Sequence, residues 1–294
     1  MHLGNVFTAV LSWLAAKSTG GRWVLRIEDL DPQRSRLEHA RQIEDDLRWL
    51  GLEWDEGGLG GAGTSGPYLQ SLRGDIYEAF LDKLRQTGYT YPCFCTRADI
   101  MATQAPHQSD GRVVYAGTCR PSSFPSGCVP QRLHATRIYV PDEEIVYSDV
   151  VFGPQSVNLA RECGDFILRR ADGAWAYQLA VVVDDALMGV RQVVRGADLL
   201  LSAAQQIYLY RMLGLEPPSF AHLPLVCNAE GRRLSKRDAA LGMAELRASN
   251  SPEELLGRIA AMAGLIPEAQ AISLGELLSE FSWSKIHRLP TLKA

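Results

Sequence analysis

Two short segments near opposite ends of the chain carry side chains suited to binding a triphosphate. The chain opens with His2-Leu3-Gly4-Asn5, and Arg233-Leu234-Ser235-Lys236-Arg237 lies in its carboxyl half. An imidazole at a helix N-terminus and a lysine in a loop both stabilise the negative charge that spreads over the phosphates of ATP. The pair therefore predicts an ATP site for adenylate chemistry. Its residues are His2, Gly4, Asn5, Arg233, Leu234, Ser235, Lys236 and Arg237.

Each segment has a simpler interpretation when it is considered alone. A histidine beside an initiator methionine is usually a solvated chain end, and a loop lysine is usually an exposed charge. The chain contains only five lysines, at positions 17, 83, 236, 285 and 293, so composition does not account for the one in this loop. Taken together, the two segments favour catalytic roles for His2 and Lys236.

Three cysteines, Cys93, Cys95 and Cys119, are close enough in sequence to share a metal ion. Six cysteines in 294 residues are too few for a disulfide scaffold and favour metal ligation in a reducing compartment. The Cys-x-Cys spacing departs from the usual Cys-x-x-Cys knuckle, so spacing alone leaves both a zinc site and idle or buried thiols open. The other candidates are rival ligands at His107, Cys128 and His134, and structural thiols at Cys163 and Cys227.

The elements that must position these residues follow an alternating α/β pattern. Apolar residues recur with helical spacing between residues 5 and 17. A β-prone strand over 22–27 follows and places Glu28-Asp29 at its carboxyl end, where open α/β sheets bind ligands. Ser35 and Glu38 predict a capping box for the next helix. The buried stripe expected for that helix is Leu37, Ala40, Ile43, Leu47 and Leu50.

Further along the chain, the same reasoning predicts a loop, more helices and more strands. The segment from Gly57 to Gly66 predicts a mobile surface loop, because glycine cannot fill a core. Asp172-Gly173 predicts the turn of a hairpin that leads into a central strand over 175–183. Two Ser-x-x-Glu sequences, at 251–254 and 273–276, predict capped helices. The remaining predicted elements are helices over 75–86 and 199–213 and strands over 190–194 and 222–228.

Composition places the chain among globular catalytic domains. Of its 294 residues, 46% are apolar and 22% are charged, enough to bury a sizeable core. No apolar run approaches the roughly 18 residues of a membrane span, and no signal-peptide pattern is seen, so a cytoplasmic protein without a membrane partner is expected. The net charge of −4 excludes a generally basic surface, so an RNA partner would need a local basic face.

The two triphosphate segments resemble the signature motifs of class I aminoacyl-tRNA synthetases. His2-Leu3-Gly4-Asn5 is similar to the HIGH motif, and Arg233-Leu234-Ser235-Lys236-Arg237 to the KMSKS motif. This resemblance implies a Rossmann domain that activates an amino acid as its adenylate. Similarity to the glutamate-specific branch covers nearly the whole chain. The strings that carry it are Leu25-Arg26-Ile27-Glu28-Asp29-Leu30-Asp31-Pro32, Tyr68-Leu69-Gln70-Ser71 and Val194-Arg195-Gly196-Ala197-Asp198.

Within that branch, the chain is similar to the short glutamyl-Q tRNA(Asp) synthetases. Glutamyl-tRNA synthetases continue into a large helical domain that grips the anticodon, and this sequence ends where that domain would begin. The resemblance implies ATP-dependent, tRNA-independent activation of glutamate and its transfer to the queuosine base in the anticodon of tRNA(Asp). A truncated glutamyl-tRNA synthetase that charges the tRNA 3′ end and an inactive tRNA-binding paralogue are the alternatives.

The resemblance also assigns the glutamate site. Glu28, Tyr177 and Arg195 would surround the amino acid, since an ionised ligand in a cleft must be paired to be held. Considered alone, Glu28 could instead form a surface ion pair with Arg26 or Arg34, and Tyr177 could be a core residue of a strand. ATP would be a substrate bound with Mg²⁺.

The family's zinc-binding segment is matched by Cys93-Phe94-Cys95-Thr96-Arg97 and Tyr115-Ala116-Gly117-Thr118-Cys119-Arg120. This match implies one structural Zn²⁺ per chain and no metal catalysis there. The implied ligands are Cys93, Cys95, Tyr115 and Cys119.

The implied fold is α/β: a class I synthetase Rossmann-type parallel sheet with an inserted zinc-binding module and a short helical C-terminal tail. Residues 1–90 and 165–247 would form the two halves of the catalytic domain, 91–164 the acceptor-type module, and 248–294 a tail without an anticodon-binding domain. Family members begin with a strand and a Ser-Pro-x-Gly turn ahead of the histidine, so the first strand is expected to be missing here. The expected oligomeric state is a monomer.

Overall fold

The computed structural model describes residues 1–31, 35–102, 114–121, 133–228, 231 and 242–293. Its helices are α1 (Leu3–Ser18), α2 (Leu37–Trp49), α3 (Gly74–Gln86), α4 (Arg97–Ala102), α5 (Leu159–Glu162), α6 (Tyr177–Leu187), α7 (Leu200–Leu213), α8 (Met243–Ser249), α9 (Pro252–Ala263) and α10 (Leu274–Glu280). Its strands are β1 (Val24–Leu25), β2 (Glu56–Gly57), β3 (Thr90–Cys93), β4 (Ala135–Ile138), β5 (Glu144–Asp149), β6 (Gly153–Asn158), β7 (Phe166–Arg169), β8 (Gln192–Gly196), β9 (Ser219–Leu223), β10 (Leu225–Cys227) and β11 (Thr291–Lys293).

The strands form mixed sheets. A four-stranded sheet has the order β6-β5-β9-β8, in which β9 pairs in parallel with both β5 and β8 while β5 and β6 are antiparallel. Two further parallel pairs are β1 with β2 and β10 with β11, and a three-stranded antiparallel sheet has the order β3-β4-β7. The predicted α/β class is confirmed, and its sheets are mixed rather than wholly parallel. The expected domain division and the expected absence of a first strand stay predictions.

Helix α1 packs one face into an apolar core. Its inward side chains are at most 1% exposed and meet residues of α2, β9, β10 and α9. Burying each such side chain stabilises the fold by about 1.5–3 kcal/mol, so the start of this helix has a fixed place. The buried residues are Leu3, Val6, Phe7, Val10, Leu11 and Leu14. A second core surrounds α3, α6 and α7.

The helices with strong apolar spacing form where the sequence predicts them. Helix α1 begins two residues earlier than expected, and α3 and α7 begin within one residue of the predicted positions. Both Ser-x-x-Glu sequences cap helices: the hydroxyl of Ser251 accepts from the Glu254 N–H at 3.2 Å, and that of Ser273 accepts from the Glu276 N–H at 3.3 Å. The predicted strands over 190–194 and 222–228 correspond to β8 and to the end of β9 with β10.

The start of helix α2 differs from the prediction. Arg36 is its N-cap and no side chain caps it, so the capping box of Ser35 with Glu38 is wrong. Because the helix begins at Leu37, Ser35 lies one residue too early to reach its first turn. Leu37, which is expected to be buried, is 51% exposed.

The predicted strand over 175–183 is also wrong. The hairpin turn exists, since Arg169 bridges Trp175 across it, but the chain then enters α6. Residues 179–185 are buried all around this helix. A helix surrounded by core shows no polar face, so its apolar run cannot be told from a buried strand by periodicity.

The glycine-rich segment is partly buried. Gly57 belongs to β2 and pairs with Leu25, with φ of +98°. A Cβ there would lie 2.1 Å from the backbone oxygen of Leu25. The expectation of a surface loop is therefore wrong at its start, because glycine here serves close backbone approach. Among the described helices, none combines the length and the apolar composition that a membrane span needs.

Gly257→Ala in α9 is expected to destabilise the protein, because the added Cβ would lie 1.7 Å from the backbone oxygen of Gln270. Overpacking of this kind typically costs about 1–3 kcal/mol. Gly275→Ala in α10 is the matched control, since no heavy atom lies within 4 Å of its added carbon and alanine gains about 1 kcal/mol over glycine in a helix. Thermal unfolding should show a lower Tm only for the first variant; equal melting temperatures would contradict the contact.

Candidate active site

One cavity of about 520 Å³ opens between the start of α1, the end of β1, the start of α6 and the end of β8. Its volume is within the range of small-molecule sites. The structure brings together in its lining every predicted ATP-site and glutamate-site residue that it describes. These residues are His2, Gly4, Asn5, Glu28, Tyr177 and Arg195.

The first turn of α1 forms one wall of this cavity. The side-chain oxygen of Asn5 accepts a hydrogen bond from the His2 N–H at 3.2 Å. A Cβ at Gly4 would lie 3.2 Å from Cε1 and 3.3 Å from Nδ1 of His2, so glycine lets the imidazole lie against the first turn. A helix N-terminus carries partial positive charge. This wall therefore offers an anion the His2 imidazole and the partial positive charge of the helix N-terminus.

A second wall is acidic. Arg26 Nη2 lies 3.0 Å from Glu28 Oε1, and its Nη1 lies 2.7 Å from Asp185 Oδ1. The ion-pair alternative for Glu28 is thus confirmed with Arg26, while Arg34 lies outside the described residues. Glu28 also lines the cavity and its side chain is 41% exposed, so one ion pair does not exclude it from binding a ligand. Burial raises the pKa of Asp185, and Arg26 opposes that shift.

A buried network fixes α6 behind the acidic wall. Asp184 accepts from Arg73 Nε at 2.6 Å, from Gln70 Nε2 at 2.8 Å and from the Tyr77 hydroxyl at 2.9 Å. Removing one partner of a buried ion pair costs about 3–5 kcal/mol. The network therefore holds the helix that presents Tyr177.

Arg195 is a buried cation at the end of β8, and its side chain has no carboxylate partner among the described residues. It is 8% exposed and lines the cavity. Its Nε donates to His222 Nε2 at 3.0 Å, its Nη1 to Gln206 Oε1 at 2.8 Å and its Nη2 to the Leu199 oxygen at 3.4 Å. A buried charge with neutral partners alone favours an anionic ligand.

Tyr177 lies near both Arg195 and Glu28. It is the first residue of α6, 37% exposed, so the alternative of a strand core position is wrong. Burial and the charge of Glu28 raise the pKa of its phenol, while Arg195 lowers it. The phenol therefore remains protonated at neutral pH and can donate a hydrogen bond.

The segment Arg233-Leu234-Ser235-Lys236-Arg237 lies outside the described residues. The described residues on both sides of it are next to the first wall. Pro224, Leu225 and Val226 line the cavity ahead of the segment. After it, Gly242 forms an antiparallel bridge with His2.

The four predicted metal ligands lie together. Cys93 Sγ is 3.4 Å from the Tyr115 hydroxyl, and Cys95 Sγ is 3.4 Å from Cys119 Sγ. The three sulfur atoms lie within 4.8 Å of one another. Three thiols and a phenol at these separations could close around a tetrahedral ion with metal–sulfur bonds of about 2.3 Å. The donor set therefore fits a metal such as zinc.

Neighbouring groups affect the pKa of one predicted ligand and contact the ring of another. Burial and the hydrogen bond with Cys119 raise the pKa of Cys95 to about 11, which a bound metal would reverse by favouring the thiolate. The Arg137 guanidinium lies 3.8 Å above the Tyr115 ring. Of the rival ligands, His107 and Cys128 lie outside the described residues. His134 contacts the ring of Phe94 and does not belong to the sulfur group in the part of the chain that is described.

Several residues of the cavity and its support were missed by the sequence reasoning. Arg26 lay two positions from Glu28 and was considered only as a competing ion-pair partner. Asp185 was missed because its helix was predicted as a strand. His222 was assigned to a strand, and nothing in its sequence context indicated that it contacts Arg195, 27 positions away.

Comparison with known proteins gives a consistent result. A family profile described as tRNA synthetases class I (E and Q), catalytic domain, matches residues 1–286. A relative from Symbiobacterium thermophilum named Glutamyl-Q tRNA(Asp) synthetase is 47% identical, over 99% of this chain and 91% of the relative. One from Alkalilimnicola ehrlichii named Glutamate--tRNA ligase 2 is 40% identical, over 99% of this chain but 62% of the ligase.

A solved structure agrees in fold. It is a crystal structure of a glutamate tRNA ligase from Elizabethkingia meningosepticum in complex with its amino acid, with a TM-score of 0.83 and 29% identity. The match covers 100% of this chain and 64% of the ligase, so this chain spans less than two thirds of that protein.

Proposed function

The chain belongs to the class I tRNA synthetases of the E and Q family, and we propose that it activates glutamate with ATP and transfers it to the queuosine base in the anticodon of tRNA(Asp). The single observation that carries the proposal is the cavity that unites His2, Glu28, Tyr177 and Arg195. The near-full-length match to a protein named for this activity supports it.

Glutamate would bind between Arg195 and the acidic wall. The buried guanidinium of Arg195 would pair with the side-chain carboxylate, since it has no carboxylate partner among the described residues. Glu28, with Asp185 beside it, would accept hydrogen bonds from the α-ammonium group. Tyr177 would donate its phenolic proton to the amino acid between them. The α-carboxylate would then face the first turn of α1.

ATP would bind along that first turn. Gly4 and Asn5 would let the backbone approach the nucleotide, and His2 would contact its phosphates. Lys236 would reach the same phosphates from the loop. It lies six positions before Gly242, a reach of at most about 20 Å in an extended chain. Gly242, the described residue that follows the segment, pairs with His2, which supports a shared role for Arg233, Leu234, Ser235, Lys236 and Arg237.

Activation would proceed by in-line displacement. A carboxylate oxygen of glutamate attacks the α-phosphorus, the bond to the bridging oxygen breaks, and pyrophosphate leaves with its electron pair. Binding both substrates in one cavity lowers the entropic part of the barrier, and His2 and Lys236 stabilise the charge that grows on the phosphates. Mg²⁺ would accompany the ATP.

Transfer would complete the reaction. A hydroxyl oxygen of the queuine cyclopentene ring attacks the carbonyl carbon of the adenylate, an ester forms, and AMP leaves as the hydroxyl gives up its proton. The anticodon loop suits such an enzyme because proteins read unstacked single-stranded bases directly. A monomeric cytoplasmic enzyme is part of the proposal. So is the division into catalytic halves at 1–90 and 165–247, an inserted module at 91–164 and a helical tail at 248–294.

Zn²⁺ would be held by Cys93, Cys95, Tyr115 and Cys119, one ion per chain. The fit rests on the separations of their donor atoms. When bound, the ion would cross-link chain segments that are 20 or more positions apart. The residues lie away from the cavity lining, which supports a structural role.

Cys119→Ser is expected to lose the metal, because it removes one of the three clustered sulfurs. Metal analysis of the purified wild type should give close to one zinc per chain, and the variant should melt roughly 5 °C lower, since metal affinity contributes to folding. Cys163→Ser is the matched control: its thiol donates to the Leu159 oxygen at 3.3 Å, a bond that serine keeps. Equal zinc content in the two variants would contradict the site.

The proposed activation is tested by exchange of labelled pyrophosphate into ATP. Exchange should require glutamate and proceed without tRNA. Absence of exchange in folded protein would instead support the inactive paralogue. The other alternative, charging of the tRNA 3′ end, is supported by matches to parts of glutamate–tRNA ligases.

A further inference from the structure

A row of buried polar side chains lies behind Arg195. His222 Nε2 accepts from Arg195 Nε at 3.0 Å, and His222 Nδ1 lies 2.6 Å from Asp149 Oδ2. The side chains of His222 and Asp149 are both 0% exposed, and neither residue lines the cavity. They therefore cannot touch a substrate there, and the proposed reaction has given them no role.

The hydrogen bonds fix the protonation of this row. Arginine can only donate, so the Nε2 atom of His222 must be unprotonated. Nδ1 then carries the ring proton and donates it to Asp149. The other oxygen of Asp149 accepts from the N–H groups of Val151 at 3.0 Å and Phe152 at 2.9 Å, which holds the carboxylate still. One tautomer of one histidine thus links a fixed carboxylate to Arg195.

The same contacts occupy three of the five N–H groups of the guanidinium. Of its five N–H groups, Nε binds His222, one on Nη1 binds Gln206 and one on Nη2 approaches the Leu199 oxygen. One N–H on each terminal nitrogen is left, and the neighbouring Tyr177 phenol also interacts with Arg195. The Phe220 ring lies 4.9 Å from the guanidinium carbon and supports its flat face. The remaining pair of N–H groups matches the two oxygens of a carboxylate.

We propose that Asp149 and His222 are positioning residues that aim this paired edge of Arg195 at the side-chain carboxylate of glutamate. The inference rests on the proposed function, because it takes glutamate as the ligand of Arg195. A fixed orientation of Arg195 also favours glutamate over glutamine. The amide NH2 of glutamine would face an N–H of Arg195, so two donors would meet and one hydrogen bond would be lost.

Steady-state exchange kinetics test the role of His222. His222→Leu removes the acceptor of Arg195 Nε, so the KM for glutamate should rise about ten-fold, the effect of leaving one buried donor unpaired. The KM for ATP should stay within about twofold, because the nucleotide contacts other walls. The preference for glutamate over glutamine should fall. Equal changes in both KM values would overturn the proposal.

His222→Gln is the conservative partner of that variant. Its amide oxygen can accept from Arg195 while its amide nitrogen donates to Asp149, so most of the glutamate affinity should return. Asp149→Asn should raise the KM for glutamate, because an amide donor beside Nδ1 favours the other tautomer, whose Nε2–H faces a donor. If His222→Leu and Asp149→Asn both left the KM for glutamate unchanged, the row would have no positioning role.

Nitrogen NMR of the wild-type protein tests the geometry without any substitution. The His222 ring should show a protonated Nδ1 and an unprotonated Nε2 in the free enzyme. A protonated Nε2 would overturn the inference even if the protein is fully active. If the wild-type protein shows no exchange activity but His222 has the expected tautomer, the proposed function is wrong. The hydrogen-bonded arrangement of Asp149, His222 and Arg195 is then still supported.

Discussion

Lys236→Ala should lower glutamate-dependent pyrophosphate exchange by roughly 10²–10³-fold, the typical effect of removing one group that stabilises transition-state charge. The dissociation constant for glutamate should change by less than about threefold, since the lysine is proposed to act on the phosphates and not on the amino acid. Exchange rates at saturating substrates and calorimetric titration with glutamate separate the two effects.

Lys285→Ala is the control for this variant. Its ammonium group pairs with Glu280 at 2.7 Å and is absent from the cavity lining. It removes the same charge from the protein but should leave exchange unchanged. If Lys236→Ala kept near-normal exchange, the loop would have no part in activation.

Arg195→Ala should abolish productive glutamate binding, with the KM rising by at least about 100-fold. The substitution removes a buried guanidinium that has no carboxylate partner among the described residues, so a bound glutamate side chain would become the unpaired charge. Truncating one member of a buried charge pair typically costs about 2–5 kcal/mol. Exchange measured over a wide range of glutamate concentrations gives the KM directly.

Two further variants sharpen that result. Arg195→Lys keeps the positive charge but loses the paired N–H edge and the contact with His222, so it should rescue little. Arg191→Ala removes an exposed arginine just ahead of the same strand and should behave like the wild type. A KM for Arg195→Ala within about threefold of the wild-type value would show that glutamate binds elsewhere.

Local signals in the sequence were sufficient for elements with a polar face and a cap. Helix α1 has apolar residues on a regular spacing, and α9 and α10 begin at serines whose hydroxyls are used as predicted. The same signals failed where tertiary contacts decide. Helix α6 is surrounded by core and therefore shows no polar face. Gly57 is buried because the backbone of Leu25 lies against it.

The candidate site shows the same division. Glu28 could be placed at a ligand-binding edge because it follows a β-prone segment, whereas Tyr177 and Arg195 were assigned through the family resemblance. The support of Arg195 could not, since His222 and Asp149 are separated by 73 positions and meet only in the folded chain. The metal ligands were found through resemblance, because the spacing of Cys93 and Cys95 alone left two interpretations open.

The most direct measurement follows labelled glutamate onto tRNA(Asp). The enzyme is incubated with ATP and either queuosine-containing tRNA(Asp) from which the terminal adenosine has been removed, or intact tRNA(Asp) that lacks queuosine. We expect labelling of the first RNA and none of the second. Labelling of the second but not the first would contradict this expectation, because glutamate would then be attached to the 3′ end.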